Sequence, residues 1–310
     1  MAELGQVGNW RIGGDMVPGA FRQDGPKKCL IFKRLENFIG KHGVGGQNFA
    51  TGRFLMPVQS GMRGQAGNNM TAFHIYGETR PGPWLVTCDH ASNRVPEGLT
   101  LGIGPEDMAR HIAWDVGAAG LTQALGVALD APVICSDFSR LVIDPNRGED
   151  DPTLVMKLYD GTIIPGNRHV DDAEVERRLG TLYRPYHQAL ADLAGRRADT
   201  VIVAIHSFTP CLKGREPRPW QVGVLYSHLD DRLSLPLIAR LMAKGDLCVG
   251  DNEPYAGHLP GDAIDRHGLQ MGRLNTLIEV RNDLIGDAAG QVEWAARLGP
   301  ILTAAWEDLR

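Results

Sequence analysis

Two histidines far apart in the chain, His90 and His206, each follow a short run of β-branched and aliphatic residues: WLVTCDH over residues 84–90 and VIVAIH over residues 201–206. Runs of this kind read as strands covered on both faces, and their C-terminal ends open onto the crevice where α/β proteins hold ligands. An imidazole delivered there can ligate a metal or move a proton. Two of them point to one shared site. The plainer reading of either alone is a structural histidine satisfied by a neighbouring acid. With one carboxylate added, the pair makes the three-ligand layout, open at a fourth position, of a hydrolytic zinc or similar divalent-metal site.

Several carboxylates and guanidiniums interrupt apolar runs. HIAWDVGA places Asp115 one helical turn after His111 in an otherwise apolar stretch, where a charge is unexpected unless it is paired or ligates something. A cap or an ion pair is the plainer alternative. In SRLVIDPNR, Arg140 and Arg147 bracket an apolar strand-like run with Asp144 and Asn146 between them. Guanidiniums at strand ends suit bidentate capture of a substrate carboxylate, and a buried Arg–Asp pair beside Pro145 is the alternative. Glu279 sits within LIEV near the polar end of another run. Burial would raise its pKa and suit it to take a proton from water, unless it simply pairs with Arg281 or Arg273. The turn-rich segment YDGTIIPGNRHV, with Asn167, Arg168 and His169 at its tip, could cover such a site, and RPYH adds His187. Ser207, Asn93 and His267, polar residues beside or near these motifs, are candidates for substrate contact. There is no Gly-rich phosphate loop, GxSxG elbow or HExxH pair in the chain, so those chemistries recede.

These residues need elements to position them. Strands are expected at residues 84–88, 132–136, 201–206, 222–226, 247–249 and 274–281, and helices at 105–129, 171–196, 231–244 and 291–309. Pro105 followed by Glu106 and Asp107 is a first-turn signature. Asp171 with Glu174 three residues on reads as a helix cap. Pro185 should kink or split its helix. Strand–helix alternation on this scale predicts a mainly parallel sheet with helices on both faces.

The bulk numbers fit that picture. The chain has 310 residues, is 43% hydrophobic and carries a net charge of −5, an ordinary globular composition with no basic stripe for nucleic acid and no run long enough for a membrane helix. Five scattered cysteines form no CxxC pair and no disulfide framework, which suits a reducing cytoplasm. Residues 1–69 are Gly-rich and weakly patterned, with residues 29–39 the one helix-like stretch. They read as an N-terminal extension, disordered or spurious, ahead of a catalytic domain over residues 70–310.

Taken in order, CDHASNRVP, HIAWDVGA, SRLVIDPNR, YDGTIIPGN, RPYH, IHSFTP and LIEVRNDL resemble the N-formylglutamate amidohydrolase family from Trp84 to the C-terminus. That family is similar in fold to zinc carboxypeptidases and aspartoacylase, implying a three-layer α/β sandwich around a mixed, mainly parallel sheet, phosphorylase/hydrolase-like, with metal at strand ends. The resemblance implies His90 and His206 as metal ligands and Glu279 as the catalytic base. It also implies Arg140, Asn146 and Arg147 as contacts to substrate carboxylates. Carboxypeptidases take their first two ligands from His-x-x-Glu, whereas this chain has His90-Ala-Ser-Asn93. The third ligand is therefore either Asn93 or Asp115, and Asp115 is preferred because an anionic oxygen binds zinc more strongly than an amide. The implied activity is metal-dependent hydrolysis of a small N-acyl amino acid, N-formyl-L-glutamate first among them. A deacylase or carboxypeptidase-like enzyme with another substrate, or a small-molecule-binding relic, is the alternative.

Overall fold

A computed structural model describes residues 63–66 and 70–310. The helix expected at residues 29–39, Cys29 and most of the expected extension lie outside the described residues. In chain order the strands are β1 (Arg63–Ala66), β2 (Met70–Tyr76), β3 (Trp84–Cys88), β4 (Val133–Ser136), β5 (Leu158–Tyr159), β6 (Thr162–Ile163), β7 (Val201–Phe208), β8 (Val222–Leu225), β9 (Val249–Asp251) and β10 (Asn275–Arg281). The helices are α1 (Pro105–Met108), α2 (Ala118–Ala128), α3 (Asp172–Arg178), α4 (Arg184–Ala194), α5 (Ser234–Met242) and α6 (Ala288–Glu307).

Eight strands form one sheet in the order β1-β2-β4-β3-β7-β10-β8-β9. Its centre, β4-β3-β7-β10, is parallel, while β2 and β8 join it antiparallel. This is the expected mixed, mainly parallel sheet. β1 comes from the stretch read as an extension and adds an antiparallel edge strand beside β2. Every residue of β7 is buried, because helices cover both sides of the sheet. Leu121 and Leu125 of α2, Leu237 of α5 and Leu298 of α6 pack with Val86, Val203 and Ile278 on one face. On the other face, Tyr186 and Leu190 of α4 pack with Leu85, Ile202 and Leu277. Side chains alternate along a strand, so His206 follows Ile202 and Ala204 onto the second face, and Glu279 follows Leu277 there. Parallel register sets Glu279 directly beside His206. Among the described residues no helix is long and apolar enough to cross a membrane.

Two expectations are corrected, and the expected split at Pro185 is found. The helix expected over residues 105–129 breaks after one turn at Met108, and Asp115 lies in the connection to α2, not on a helix. Backbone groups there take partners elsewhere: Asp115 N donates to His90 O at 2.9 Å and Arg140 N to Ala113 O at 3.2 Å. Gly117 then turns the chain with φ +81°. The run bracketed by Arg140 and Arg147 is a series of turns, with Val142 N donating to Ser139 O and Asp144 N to Leu154 O; its apolar residues are buried by the surrounding core instead of by strand pairing. The stretch 171–196 divides at a π-helical turn, Leu179–Tyr183, just ahead of Pro185, whose missing N–H and ring cannot fit a continuous α-helix. Its start follows expectation, since the Asp171 side chain accepts from Glu174 N.

Gly117 is the tightest of these constraints. A Cβ there would stand 2.1 Å from Ile285 O, whereas one at Gly98, with a similar φ of +80°, would meet nothing within 4 Å. Gly117→Ala should therefore cost about 3 kcal/mol or more of stability, against about 1 kcal/mol for Gly98→Ala, where only the left-handed backbone is penalised. Urea denaturation measures both, and equal losses would show that close packing at Gly117 is unimportant.

Candidate metal centre

The C-terminal end of β3 and the end of β7 bring His90 and His206 together, with ring centroids 4.9 Å apart. Asp115, fastened to the His90 carbonyl through its own backbone N–H, turns its carboxylate between them. His206 Nδ1 lies 2.8 Å and His90 Nδ1 3.3 Å from the same oxygen, Asp115 Oδ2. One ligand atom from each of the three falls within 4.8 Å of the others, and all three residues are buried.

The far nitrogens are held as well. His90 Nε2 is 2.7 Å from Asp144 Oδ1, and His206 Nε2 is 3.3 Å from Asp89 Oδ2. A carboxylate can only accept, so with a cation on the Asp115 side each Nε2 would carry the proton and each Nδ1 would offer it a lone pair. Metal-binding histidines are held by just such carboxylate partners. Two lone pairs and a carboxylate oxygen cannot share one point without a positive centre, a proton or a metal ion. The local charge agrees: Asp89, Asp115 and Asp144 are buried against the single Arg140 guanidinium, leaving two negative charges when both imidazoles are neutral. A divalent cation would balance them. The donor set, two imidazole nitrogens and one carboxylate, suits Zn²⁺ or a similar ion.

The ionisation of the cluster follows from burial and neighbours. Burial alone would raise the Asp115 carboxyl, but the His90 and His206 imidazoles outweigh it and hold it below the usual carboxylate range. Asp144 is likewise opposed by burial and drawn well down by Arg140 and His90. His206 is pulled up against its burial by hydrogen bonds to Asp115 and Asp89. Glu279 goes the other way. Burial, with the Asp115 charge adding to it, pushes its carboxyl up to about 7. Its Oε2 is buried with no hydrogen-bond partner among the described residues, a buried acceptor left open toward the cluster.

The remaining sequence-predicted residues divide. Ser207 stays at the cluster: its N–H is 3.4 Å from Asp115 Oδ2 and its hydroxyl donates to Val116 O. Asn146 N donates to Asp144 Oδ1 at 2.9 Å, and its Oδ1 accepts from Ala263 N. Arg140, expected on a substrate carboxylate, is already occupied: Nε and Nη2 donate to Asp144 Oδ2, and Nη1 reaches Asp115 Oδ1. Arg147 donates through Nε to Thr153 and through Nη1 to Asn146 O. Asn93 gives its amide N–H to Met108 O. His267 is buried against His187, Nε2 to Nδ1 at 2.9 Å, and His187 Nε2 donates to Pro145 O. Asn167, expected at a loop tip, is fully buried and ties Leu141 O and Met156 O to Arg178. Glu279 pairs with neither Arg281 nor Arg273, which bond to Asp283 and to His267 O.

Sequence reasoning missed the two orienting carboxylates. Asp89 adjoins His90 in sequence yet holds His206, because neighbouring residues at a strand end point opposite ways. Asp144 reaches His90 across 54 positions. Tyr186 of RPYH completes the layer, its hydroxyl donating to Asp89 Oδ1 at 2.6 Å.

A cation held by His90, Asp115 and His206 would depend on those orienting bonds. Asp89→Asn should weaken zinc affinity about 10- to 100-fold while the chain stays folded, as competition with a chromophoric chelator would report. Wild-type affinity in that variant would separate Asp89 from metal binding.

A family model described as N-formylglutamate amidohydrolase matches residues 82–286. Among solved structures, a gene product of Agrobacterium tumefaciens is 33% identical, with 76% of this chain and 95% of that one covered and a TM-score of 0.71. An N-formylglutamate amidohydrolase from Ralstonia eutropha is 24% identical over 76% of this chain and 97% of that one, with a TM-score of 0.61. A comparison with curated proteins gives no match. The match to the family model spans most of the sheet and every residue of the cluster from Asp89 to Glu279, so the chain belongs to the N-formylglutamate amidohydrolase family.

Proposed function

We propose that this protein is a metal-dependent amidohydrolase that cleaves a small N-acyl amino acid, with N-formyl-L-glutamate, yielding formate and L-glutamate, as the substrate. The observation carrying the reading is the convergence of two oriented imidazoles and Asp115 beside a buried, partnerless glutamate. Family membership and the name of the Ralstonia eutropha relative support the acyl-amino-acid chemistry.

His90, Asp115 and His206 would hold a divalent ion, Zn²⁺ by the character of the donors, which would supply Lewis-acid polarisation of the acyl group and of water. The chain's own groups do the rest. Glu279 takes a proton from the attacking water as its oxygen bonds to the acyl carbon, and returns that proton to the amide nitrogen as the C–N bond breaks. A carboxyl pushed up to about 7 by burial is suited to both halves of that transfer. Arg140, locked on Asp144, contributes fixed positive charge beside Asp115 as negative charge develops. Arg147 has no hydrogen bond from Nη2 within the described structure, and that edge serves to bind the substrate's α-carboxylate.

Glu279→Gln should lower turnover of N-formyl-L-glutamate about 100-fold or more, with metal content by elemental analysis unchanged. Wild-type turnover by the variant would remove Glu279 from the mechanism. A panel of N-formyl, N-acetyl and N-succinyl amino acids, assayed for free amine with a chelator and with zinc restored, tests the wider reading. Activity should vanish with the chelator and return with the metal. Zinc-loaded protein inert on the whole panel would exclude the hydrolase.

A further inference from the structure

An acidic N-acyl amino acid carries two carboxylates, and the guanidiniums around the cluster are unequally available. Arg140 is spent on Asp144 and Asp115, and Arg147 offers a single free edge. Arg218 is different. It lies just beyond the end of β7, where Nη1 donates to Thr209 O at 3.1 Å, three residues after His206. Its guanidinium carbon stands 5.0 Å from the Tyr255 ring centre and 5.7 Å from that of Phe208. Phe208 is two positions along β7 from the His206–Glu279 pair.

Two side chains feel Arg218 together with a residue of the cluster. The Tyr255 phenol, raised chiefly by burial, feels both the Glu279 carboxylate and the Arg218 cation. On another side of the cluster, the His111 imidazole, lowered chiefly by burial, feels both Arg218 and Asp115. Among the described residues no carboxylate lies within salt-bridge distance of Arg218. Partial burial of a cation without an anion is unfavourable, and Arg218 is partly buried. Stacking on an aromatic face holds a guanidinium plane in place while leaving N–H groups on its edge to meet a carboxylate.

We infer that Arg218 binds the side-chain carboxylate of the substrate and so selects acidic N-acyl amino acids over neutral ones. The inference rests on the acyl-amino-acid reading above and extends it to a residue that sets the substrate class. The test compares wild-type, Arg218→Ala and Arg218→Lys proteins, each checked for folding by its thermal melt. Two readouts are used: kcat/KM for N-formyl-L-glutamate relative to its neutral isostere N-formyl-L-glutamine, and calorimetric binding of glutarate relative to butyrate. In Arg218→Ala both the substrate ratio and the glutarate preference should fall about ten-fold or more, and Arg218→Lys should recover part of each. Ratios unchanged from wild type in both variants would overturn the assignment, as would a wild-type protein without preference for the dicarboxylate. Should no N-formyl substrate be turned over, the hydrolase reading fails by itself, and the binding arm still decides the role of Arg218.

Discussion

Burying negative charge at the end of an apolar sheet is the constraint around which the site is organised. Asp89, Asp115, Asp144 and Glu279 are each less than a tenth exposed, as are the two imidazoles they surround. Each carboxylate taken from water needs a partner of comparable strength. Arg140 serves Asp144 and part of Asp115, Tyr186 serves Asp89, and the imidazole Nε2 groups serve Asp89 and Asp144. What remains is the shared point where both Nδ1 atoms meet Asp115 Oδ2, together with the partnerless Glu279 Oε2. These unmet electrostatics support the proposed cation site with a base beside it.

Holding this arrangement requires rigid supports. His206 and Glu279 occupy adjacent strands in fixed parallel register, so their separation is set by the sheet itself. Asp115 and Asp144 come from connections, where strand geometry gives no help, and backbone bonds replace it: Asp115 N to His90 O, and Asp144 N to Leu154 O. The His187–His267 pair adds a further brace. Burial, with the neighbouring charge of Arg266, lowers His187 to about 3, and burial lowers His267 to about 4. Both rings are neutral at ordinary pH, and their hydrogen bonds run from His267 through His187 to Pro145 O, next to Asp144. A neutral pair can stiffen that turn without adding charge to the cluster.

How much was legible follows from where each residue sits. β3 was read residue for residue, and β7 and β10 nearly so, because doubly covered strands carry continuous apolar runs that no surface element shares. His90, His206 and Glu279 were visible as polar residues at the ends of those runs. The apolar run over residues 139–147 reads as a strand, although it forms turns, because burial by the surrounding core selects the same aliphatic residues as burial in a sheet. Asp115 reads as helical since its apolar neighbours match a helical period, while in the structure backbone groups there bond to distant partners, Asp115 N to His90 O and Arg140 N to Ala113 O. Hydrogen-bond partnership was the least legible level. Nothing in CDH tells that Asp89 serves the other histidine, or in SRLVIDPNR that Arg140 faces inward.

The arginines illustrate how context assigns one side chain to two purposes. A guanidinium clasped by two carboxylates, as in Arg140, cannot exchange a partner for a ligand without leaving buried Asp144 unpaired, so it acts as a fixed charge. A guanidinium stacked on aromatic rings, as in Arg218, gives up no ionic bond when an anion arrives. Anion recognition therefore favours the rim over the interior, even though the interior holds the stronger field. Selectivity for a substrate carboxylate and stability of the cluster can then vary separately, because the first depends on loops beyond the strand ends and the second on the sheet.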